Sequence, residues 1–402
     1  MRRYKYRAKD KKTGKAVSGS VQAENERAAG KILVDQGYVP QKLIEDETTG
    51  WFAKLTDKVT AKQRIIFTRQ FATLIGAGLP LSASLRMVAE QTDDKPAREM
   101  IEDILVQVEG GKTLHAAFSQ YPDVFNKVYL SLIAAGEASG TLDVSLKRLA
   151  DQQEKDASMI AKIRGAMTYP AIVLFVIVIV IIFMMVAVVP QVENLYKDVG
   201  EDLPVATGIL VAISDFVLNF WWFILILLGI AVWFFVQFRK TDVGQKWLAR
   251  FKLNVPVFRG LFQRLYNARF ARTAQMLLSA GVPMLEAMSI AGGAMNNLVL
   301  EDEITEAATM VRSGKPLSVA LKDKPYILPL VPQMAATGEQ SGKIDEMLGK
   351  AAKVYEDELD ERIAAISTMI EPILMVALAL VAGGIVAAVL FPIYQLVGEI
   401  GT

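Results

Sequence analysis

Residues 67–81 read FTRQFATLIGAGLPL, and residues 270–284 read FARTAQMLLSAGVPM. Phe67, Arg69, Leu74, Ala77, Gly78 and Pro80 of the first stretch return as Phe270, Arg272, Leu277, Ala280, Gly281 and Pro283, all at an offset of 203. The likeness continues downstream. Val108, Gly111, Lys112 and Leu114 return as Val311, Gly314, Lys315 and Leu317 at the same offset. Gly136, Glu137, Ser139, Gly140 and Asp143 then return as Gly338, Glu339, Ser341, Gly342 and Asp345, and Pro170 as Pro372, at an offset of 202. A single one-residue gap aligns two copies of one unit, and such self-similarity decides the architecture before any helix is read singly.

Within a copy the pattern is helical. Ile65, Ile66, Phe67, Phe71, Leu74 and Ile75 follow a 3.6-residue period. Gly78 suits a left-handed position just past a helix end, and Pro80 the first turn of the next helix. Gly281 and Pro283 repeat the arrangement. No period-two run interrupts either copy, so each is expected to be an antiparallel bundle of about six helices, over 58–170 and 260–371.

Each copy runs into an apolar stretch. Residues 171–189, AIVLFVIVIVIIFMMVAVV, contain no polar side chain over 19 residues, about 28 Å of helix, the thickness of a bilayer's hydrocarbon core. Residues 372–391, PILMVALALVAGGIVAAVLF, end the second copy in the same way, within a segment 372–397 that includes Tyr394. Residues 216–236 form a third stretch, with Asn219 its one strongly polar residue. If both copies lie on one side of a membrane and each ends in an outgoing span, a returning span must join them, and 216–236 supplies it.

Charge gives the orientation. Of the 44 Lys and Arg residues, all lie in 1–170 or 237–371 except Lys197. Residues 190–215 carry Glu193, Asp198, Glu201, Asp202 and Asp215 instead. Lys162, Arg164, Arg239, Lys240 and Arg362 flank the spans on the basic side, so the N-terminus is expected in the cytoplasm and the C-terminus outside. The loop 190–215 would then be external. The basic start, Met1 to Lys5, leads into no apolar run, so no cleavable signal peptide is expected.

Residues 1–50 differ from the rest. Two strand-like runs, 4–8 and 16–23, flank a turn at 10–14 and imply a hairpin, followed by a helix over 24–36. A linker, 48–57, would connect this small α+β domain to the first bundle. The expected fold is thus an all-α membrane protein: two homologous cytoplasmic bundles, three transmembrane helices and the small N-terminal domain.

The composition narrows the chemistry. An apolar fraction of 52% and a mean hydropathy of +0.31 are high for a soluble chain, and a net charge of +1 gives no sign of a nucleic-acid partner. With no cysteine and His115 as the one histidine, disulfides, thiolate nucleophiles and transition-metal sites are not expected. Gly110-Gly111-Lys112-Thr113 resembles the end of a phosphate-binding loop, but Val106 stands where that motif needs its first glycine and the second copy reads Gly314-Lys315-Pro316. A helix–helix turn is expected there, with no ATP site, cofactor or metal. The spans lack ionisable residues, which argues against an ion-coupled transporter.

Glu137 and Glu339 are the acids a turn alone does not explain. Gly140 and Gly342 terminate a helix, and Thr141 can cap the next one. A carboxylate in a helix's last turn opposes the helix dipole. Either a salt bridge within the bundle or contact with a partner would account for it. Gly383 and Gly384 allow close approach of a helix, which is either packing within the protomer or a groove for a partner helix.

Taken together, the paired turns, the paired GExSG motifs, residues 162–170 (KIRGAMTYP) and the N-terminal domain resemble the family of type II secretion F proteins and type IV pilus PilC proteins. The likeness spans essentially the whole chain, although Glu371-Pro372 stands where the first copy has Tyr169-Pro170. The resemblance implies a non-enzymatic inner-membrane platform coupling a cytoplasmic hexameric assembly or retraction ATPase to extraction of pilin or pseudopilin transmembrane helices. It also implies other inner-membrane assembly components and a homo-oligomer as partners. Two other classes compete: a permease or channel subunit driven by a separate ATPase, which needs polar span faces, and a receptor, which needs a sizeable external domain.

Overall fold

The computed structural model describes residues 2–10, 16–23, 30, 34, 38–45, 58–199 and 205–400. Near the N-terminus, β1 (Arg2–Asp10), β2 (Ala16–Ala23) and β3 (Tyr38–Glu45) form an antiparallel sheet of order β2-β1-β3. Tyr4 lies opposite Val21 in one pairing and Tyr6 opposite Leu43 in the other. The hairpin is as expected from the sequence. The third strand is not, and Pro40 is the reason it reads poorly as one. Proline cannot donate to a ladder and is tolerated on edge strands; β3 is an edge, and Pro40 sits opposite Ala8 beside an irregularity in register. Gly30 and Val34 are helical; the rest of the expected helix 24–36 and the linker 48–57 lie outside the described residues.

The chain divides into two compact units, residues 1–74 with 78–112, and residues 75–77 with 113–402. In the first, α1 (Ala61–Gly76) is followed by α2 (Leu81–Gln91) and α3 (Lys95–Glu109). Asp94 caps α3 by accepting from the Ala97 amide at 3.0 Å, with Pro96 in the first turn. Leu85, Val88 and Ala89 of α2 and Met100, Ile101 and Ile104 of α3 are buried, the spacing of one helical face.

In the second unit, α4 (Leu114–Phe118) and α5 (Lys127–Ser139) precede α6 (Leu142–Phe183), a 42-residue helix that contains Pro170 and enters the first apolar stretch. Phe118, Phe125 and Tyr129 form a buried aromatic knot, with Phe118 and Phe125 centroids 4.4 Å apart. One π-helical turn, Met184–Val188, joins α6 to α7 (Val189–Val199). A π turn leaves carbonyl groups out of the regular ladder. The buried Ser214 hydroxyl, on α8 (Val205–Phe238), donates to the Met185 carbonyl there at 2.6 Å.

Residues 190–215, expected as a loop, are therefore largely helical. The Lys197–Glu193 ion pair, one turn apart, and the buried Val192 and Tyr196 give α7 its amphipathic support. Phe220 departs from helical geometry inside α8, beside Asn219.

After α9 (Asp242–Asn254), the second copy runs as α10 (Pro256–Ser279), α11 (Met284–Ala294), α12 (Leu298–Arg312), α13 (Leu317–Lys322), α14 (Leu330–Ser341) and α15 (Ile344–Ile400). Among the described residues each copy thus supplies six helices, α1–α6 and α10–α15. The core of the second is built on Phe270, Met288, Leu300, Ile304, Leu321, Val331 and Leu348.

Arg272 clamps Glu356 through two bonds of 2.8 Å, and Arg264 reaches Glu358 at 2.5 Å, tying α10 to α15. A planar guanidinium favours this bidentate geometry. Helix α6 joins the same seam: Lys162 meets Asp360 at 2.6 Å, and Met159 packs in a cluster with Leu261, Leu265, Leu359 and Ile363. The two helices that carry the copies' terminal apolar stretches thus run against a shared partner.

Among the described residues three helices are long and apolar enough to cross a membrane, over Leu142–Asp198, Val211–Phe238 and Ile344–Gly384. Phe175, Trp233 and Leu380 on them are each more than 60% exposed, so water is the wrong solvent for this surface. The chain is a membrane protein with two copies of a helical unit.

Candidate functional site

The matched turns end helices in the same way. Gly78 and Gly281, Gly111 and Gly314, and Gly140 and Gly342 all have φ between +69° and +92°. At each, the amide one residue beyond closes a bond to the carbonyl five residues back. Leu79 meets Leu74 at 3.2 Å, Lys112 meets Gln107 at 3.1 Å and Thr141 meets Gly136 at 2.9 Å in the first copy. Val282 to Leu277, Lys315 to Met310 and Lys343 to Gly338 do the same in the second, at 3.0, 3.2 and 2.9 Å. These are Schellman closures, which need the left-handed residue that glycine supplies. Pro80 and Pro283 each immediately precede a helix, at the N-cap, one position earlier than expected.

The Gly110–Thr113 segment is such a turn. Lys112 Nζ donates to the Gln107 side chain at 3.0 Å, and Thr113 caps α4 by accepting from the Ala116 amide at 3.2 Å. His115 places Nδ1 3.1 Å from the Leu130 carbonyl.

The GExSG glutamates point at this same helix. Glu137, in the last turn of α5, accepts from the Leu114 amide at 2.5 Å and the His115 amide at 3.0 Å. In the second copy Glu339 accepts from the amides of Leu317 and Ser318 and from the Ser318 hydroxyl, the last at 2.5 Å. The bundle salt bridge weighed for these acids is thus replaced by a different intramolecular bond. The carboxylate occupies the N-terminus of the short helix α4 or α13, where unpaired amides and the helix dipole favour a negative charge. The donors are not duplicated atom for atom. Thr113 adds a side-chain cap in the first copy, Pro316 stands at its place in the second, and the Ser318 hydroxyl compensates.

The glycines before the glutamates explain the approach of the chain. A Cβ on Gly136 would lie 2.7 Å from Ser145 Oγ, and one on Gly338 would lie 2.6 Å from the Ile344 Cα. Helix α5 or α14 must touch the start of the following membrane-entering helix closely for its glutamate to reach the short one. Thr141, expected to cap α6 through its side chain, makes no such bond; its hydroxyl lies 2.7 Å from Ser139 Oγ, whose own contact with the Ala135 carbonyl is also 2.7 Å.

Each site therefore has a fixed interior and an open edge. Gly136 and Gly338 are buried and Glu137 and Glu339 half-buried, whereas Ser139, Gly140, Ser341 and Gly342 are exposed. Pro316, Ser318, Ala336, Glu339 and Gln340 line a shallow groove of about 500 Å³ at the second edge. No group of three or more His, Cys, Asp or Glu residues suited to a metal is present among the described residues. Gly383 and Gly384 face open space, with nothing within 4 Å of an added Cβ.

The signal that could have found the carboxylate contact is a spacing. Each glutamate follows the start of its short helix by 23 or 22 residues, in both copies. Read as an isolated motif, GExSG hides that pairing; read beside the preceding Gly-Lys turn, it shows it.

Comparison with known proteins agrees with this architecture. The sequence matches the family described as "Type II secretion system (T2SS), protein F" over residues 67–190 and again over 270–392, one match per copy. Residues 1–44 match "Type II secretion system protein F, N-terminal domain". The type IV pilus assembly protein PilC of Thermus thermophilus is 36% identical, over 99% of this chain and 98% of that one. PilC of Pseudomonas aeruginosa is 34% identical, over 86% and 92% of the two chains. The type II secretion system protein F of Vibrio cholerae is 31% identical over 98% of each. With duplicated six-helix units, matching turns and both copies recognised, the chain belongs to the type II secretion system protein F family.

Proposed function

We propose that this protein is the inner-membrane platform of a type IV pilus or type II secretion machine. In this role it couples a cytoplasmic hexameric ATPase to extraction of pilin or pseudopilin subunits from the membrane and their addition to a filament. The observation that carries the reading is the duplication itself. Two copies of one helical unit each continue without a break into a membrane helix, and relatives along the full length are named for pilus assembly and secretion. A rigid helix of 57 residues, α15, is a mechanical link between a unit outside the bilayer and a span within it. The distribution of Lys and Arg supports a cytoplasmic location for both copies, on the side of the proposed ATPase, and a periplasmic C-terminus.

The GExSG turns serve as the contact edge in this reading. Glu137 and Glu339 hold the short helices in place, and the exposed Ser139, Gly140, Ser341 and Gly342 meet the partner, either the ATPase or another copy of the platform. Gly383 and Gly384, open to the surroundings, are a close-approach site for a pilin helix or for a second platform copy. A permease is not favoured, because the spans carry no ionisable side chain.

Co-purification tests the function. The full-length chain, extracted in mild detergent, should retain the assembly ATPase encoded with it. Loss of filaments on deletion, restored by the wild-type chain, should accompany this. An ATPase that fails to associate, with filament assembly intact in the deletion strain, contradicts the proposal.

A further inference from the structure

Helix α9 carries a surface that the platform role does not use. It begins four residues beyond Phe238, the last residue of α8, after a tight turn that Thr241 closes by accepting from the Gly244 amide at 3.1 Å. Gly244 is indispensable to the turn: a Cβ there would lie 1.8 Å from the Phe238 carbonyl oxygen. One face of α9 is committed to the second copy. Ala249 and Leu253 are buried, and the Asn297 side chain donates to the Ala249 carbonyl at 3.3 Å.

The opposite face is apolar and open. Val243, Trp247 and Phe251 are 73%, 51% and 52% exposed. They recur every fourth residue, within an arc of about 80° on a helix. Their rings are ordered against one another: Trp247 stacks on Phe251 at 5.2 Å and meets Phe238 edge-on at 6.1 Å. The stripe is therefore continuous with the end of a membrane helix. Arg250 lies on the adjoining strip of the same face and is exposed, Lys246 beside it pairs with Asp302 at 3.0 Å, and Arg239 and Lys240 stand at the turn. An aromatic stripe edged with basic residues, beginning where a span ends, has the make-up of a helix lying in a bilayer interface.

We propose that α9 docks its Val243–Trp247–Phe251 face on the membrane surface, with Arg250 and the turn cations meeting anionic phospholipid headgroups. The helix then holds the second copy against the bilayer at a fixed height. Because its other face is clamped to that copy by Ala249 and Leu253, tilting the copy would require pulling the stripe out of the lipid. The inference rests on α8 being a transmembrane span and is independent of the platform role.

The chain has no native cysteine, so single-site probes need no prior substitutions. Val243→Cys, Phe251→Cys and, as an exposed control off the apolar stripe, Gln245→Cys are spin-labelled. Each full-length protein is reconstituted in vesicles of phosphatidylglycerol with phosphatidylethanolamine, or of phosphatidylcholine alone. Collision rates with oxygen, which partitions into lipid, are compared with those for a water-soluble nickel chelate.

Labels at 243 and 251 should favour oxygen several-fold over the label at 245. The preference should be larger in the anionic vesicles and shrink when Arg250→Glu is added. Labels at 243 and 251 that collide with nickel as freely as the label at 245 overturn the proposal. So do labels shielded from both reagents, which would mean that protein covers the face, and so does an oxygen preference indifferent to lipid charge.

Discussion

Glu137 and Glu339 each occupy the end of a helix whose dipole disfavours them, and the amides of a second helix reverse the balance. Hydrogen bonds to a charged group contribute about 1.5–3 kcal/mol. Glu137→Ala should therefore lower the thermal unfolding temperature of the purified protein clearly, with Glu137→Gln falling between it and the wild type because one acceptor oxygen survives. Unchanged melting of both variants would contradict the capping role. Gly338→Ala should cost more than a solvent-facing alanine change, about 1–3 kcal/mol, because its Cβ meets backbone at Ile344 instead of a movable side chain. Glu303, on α12, offers a pH test. Burial pushes its carboxyl up to about 7, against the Tyr326 backbone hydrogen bond and the Lys324 charge, and its Oε2 is buried without a hydrogen-bond partner. The folded protein thus holds this proton more tightly than the unfolded chain, whose ordinary value is 4.5. Its influence on stability is most favourable below that value, weakens as pH rises toward 7, and is level above it. Glu303→Gln should match the wild type near pH 4.5 and melt higher at pH 8; equal melting at both would count against the assignment. None of this was legible in the sequence at Glu303, since the first copy has Met100 at the matching position and repetition gives no warning.

Elements are legible in the sequence where their signal is local and repeated. The Gly78 and Gly281 turns need only a glycine past a helix end, the hairpin two strand-like runs around a turn, and the three apolar helices an almost unbroken apolar run. Elements that depend on a partner leave little trace in the sequence. β3 contains a proline that only an edge position tolerates, and α7 has its charges interleaved with apolar residues, so the interval 190–215 looked like a loop. The GExSG motif is visible in both copies of the sequence, but its bonding is not, because the helix it caps lies 22 or 23 residues away. The π turn at Met184–Val188 is equally invisible in an uninterrupted apolar run. Its Met185 carbonyl is satisfied by Ser214, and a hydrogen bond of this kind between membrane helices contributes about 0.6 kcal/mol. Ser214→Ala should lower the melting temperature of the detergent-solubilised protein slightly, and Ser214→Thr, which keeps the hydroxyl, should restore much of it. Equal melting of Ala and Thr variants would mean that the hydroxyl bond is not what matters there.

At the scale of the whole molecule, two copies of one helical unit can both reach the same compartment only if a third span brings the chain back. The expected architecture rests on that counting rule together with the distribution of Lys and Arg. The seam of Lys162, Asp360, Arg264 and Glu358 brings the two membrane-entering helices, α6 and α15, against α10. The helices that carry the first and third spans are thus tied to one shared helix. The measurement that tests this account most directly is impermeant thiol labelling of intact spheroplasts, using single cysteines at Lys112, Lys315 and Asp198, all exposed positions in a chain without native cysteine. Lys112 and Lys315 mark matching turns in the two copies, and Asp198 lies between the first and second spans. The account predicts rapid labelling at 198 alone, with 112 and 315 labelled only after the membrane is permeabilised. Labelling of either 112 or 315 in intact spheroplasts, or protection of 198, would contradict the placement of both copies in the cytoplasm.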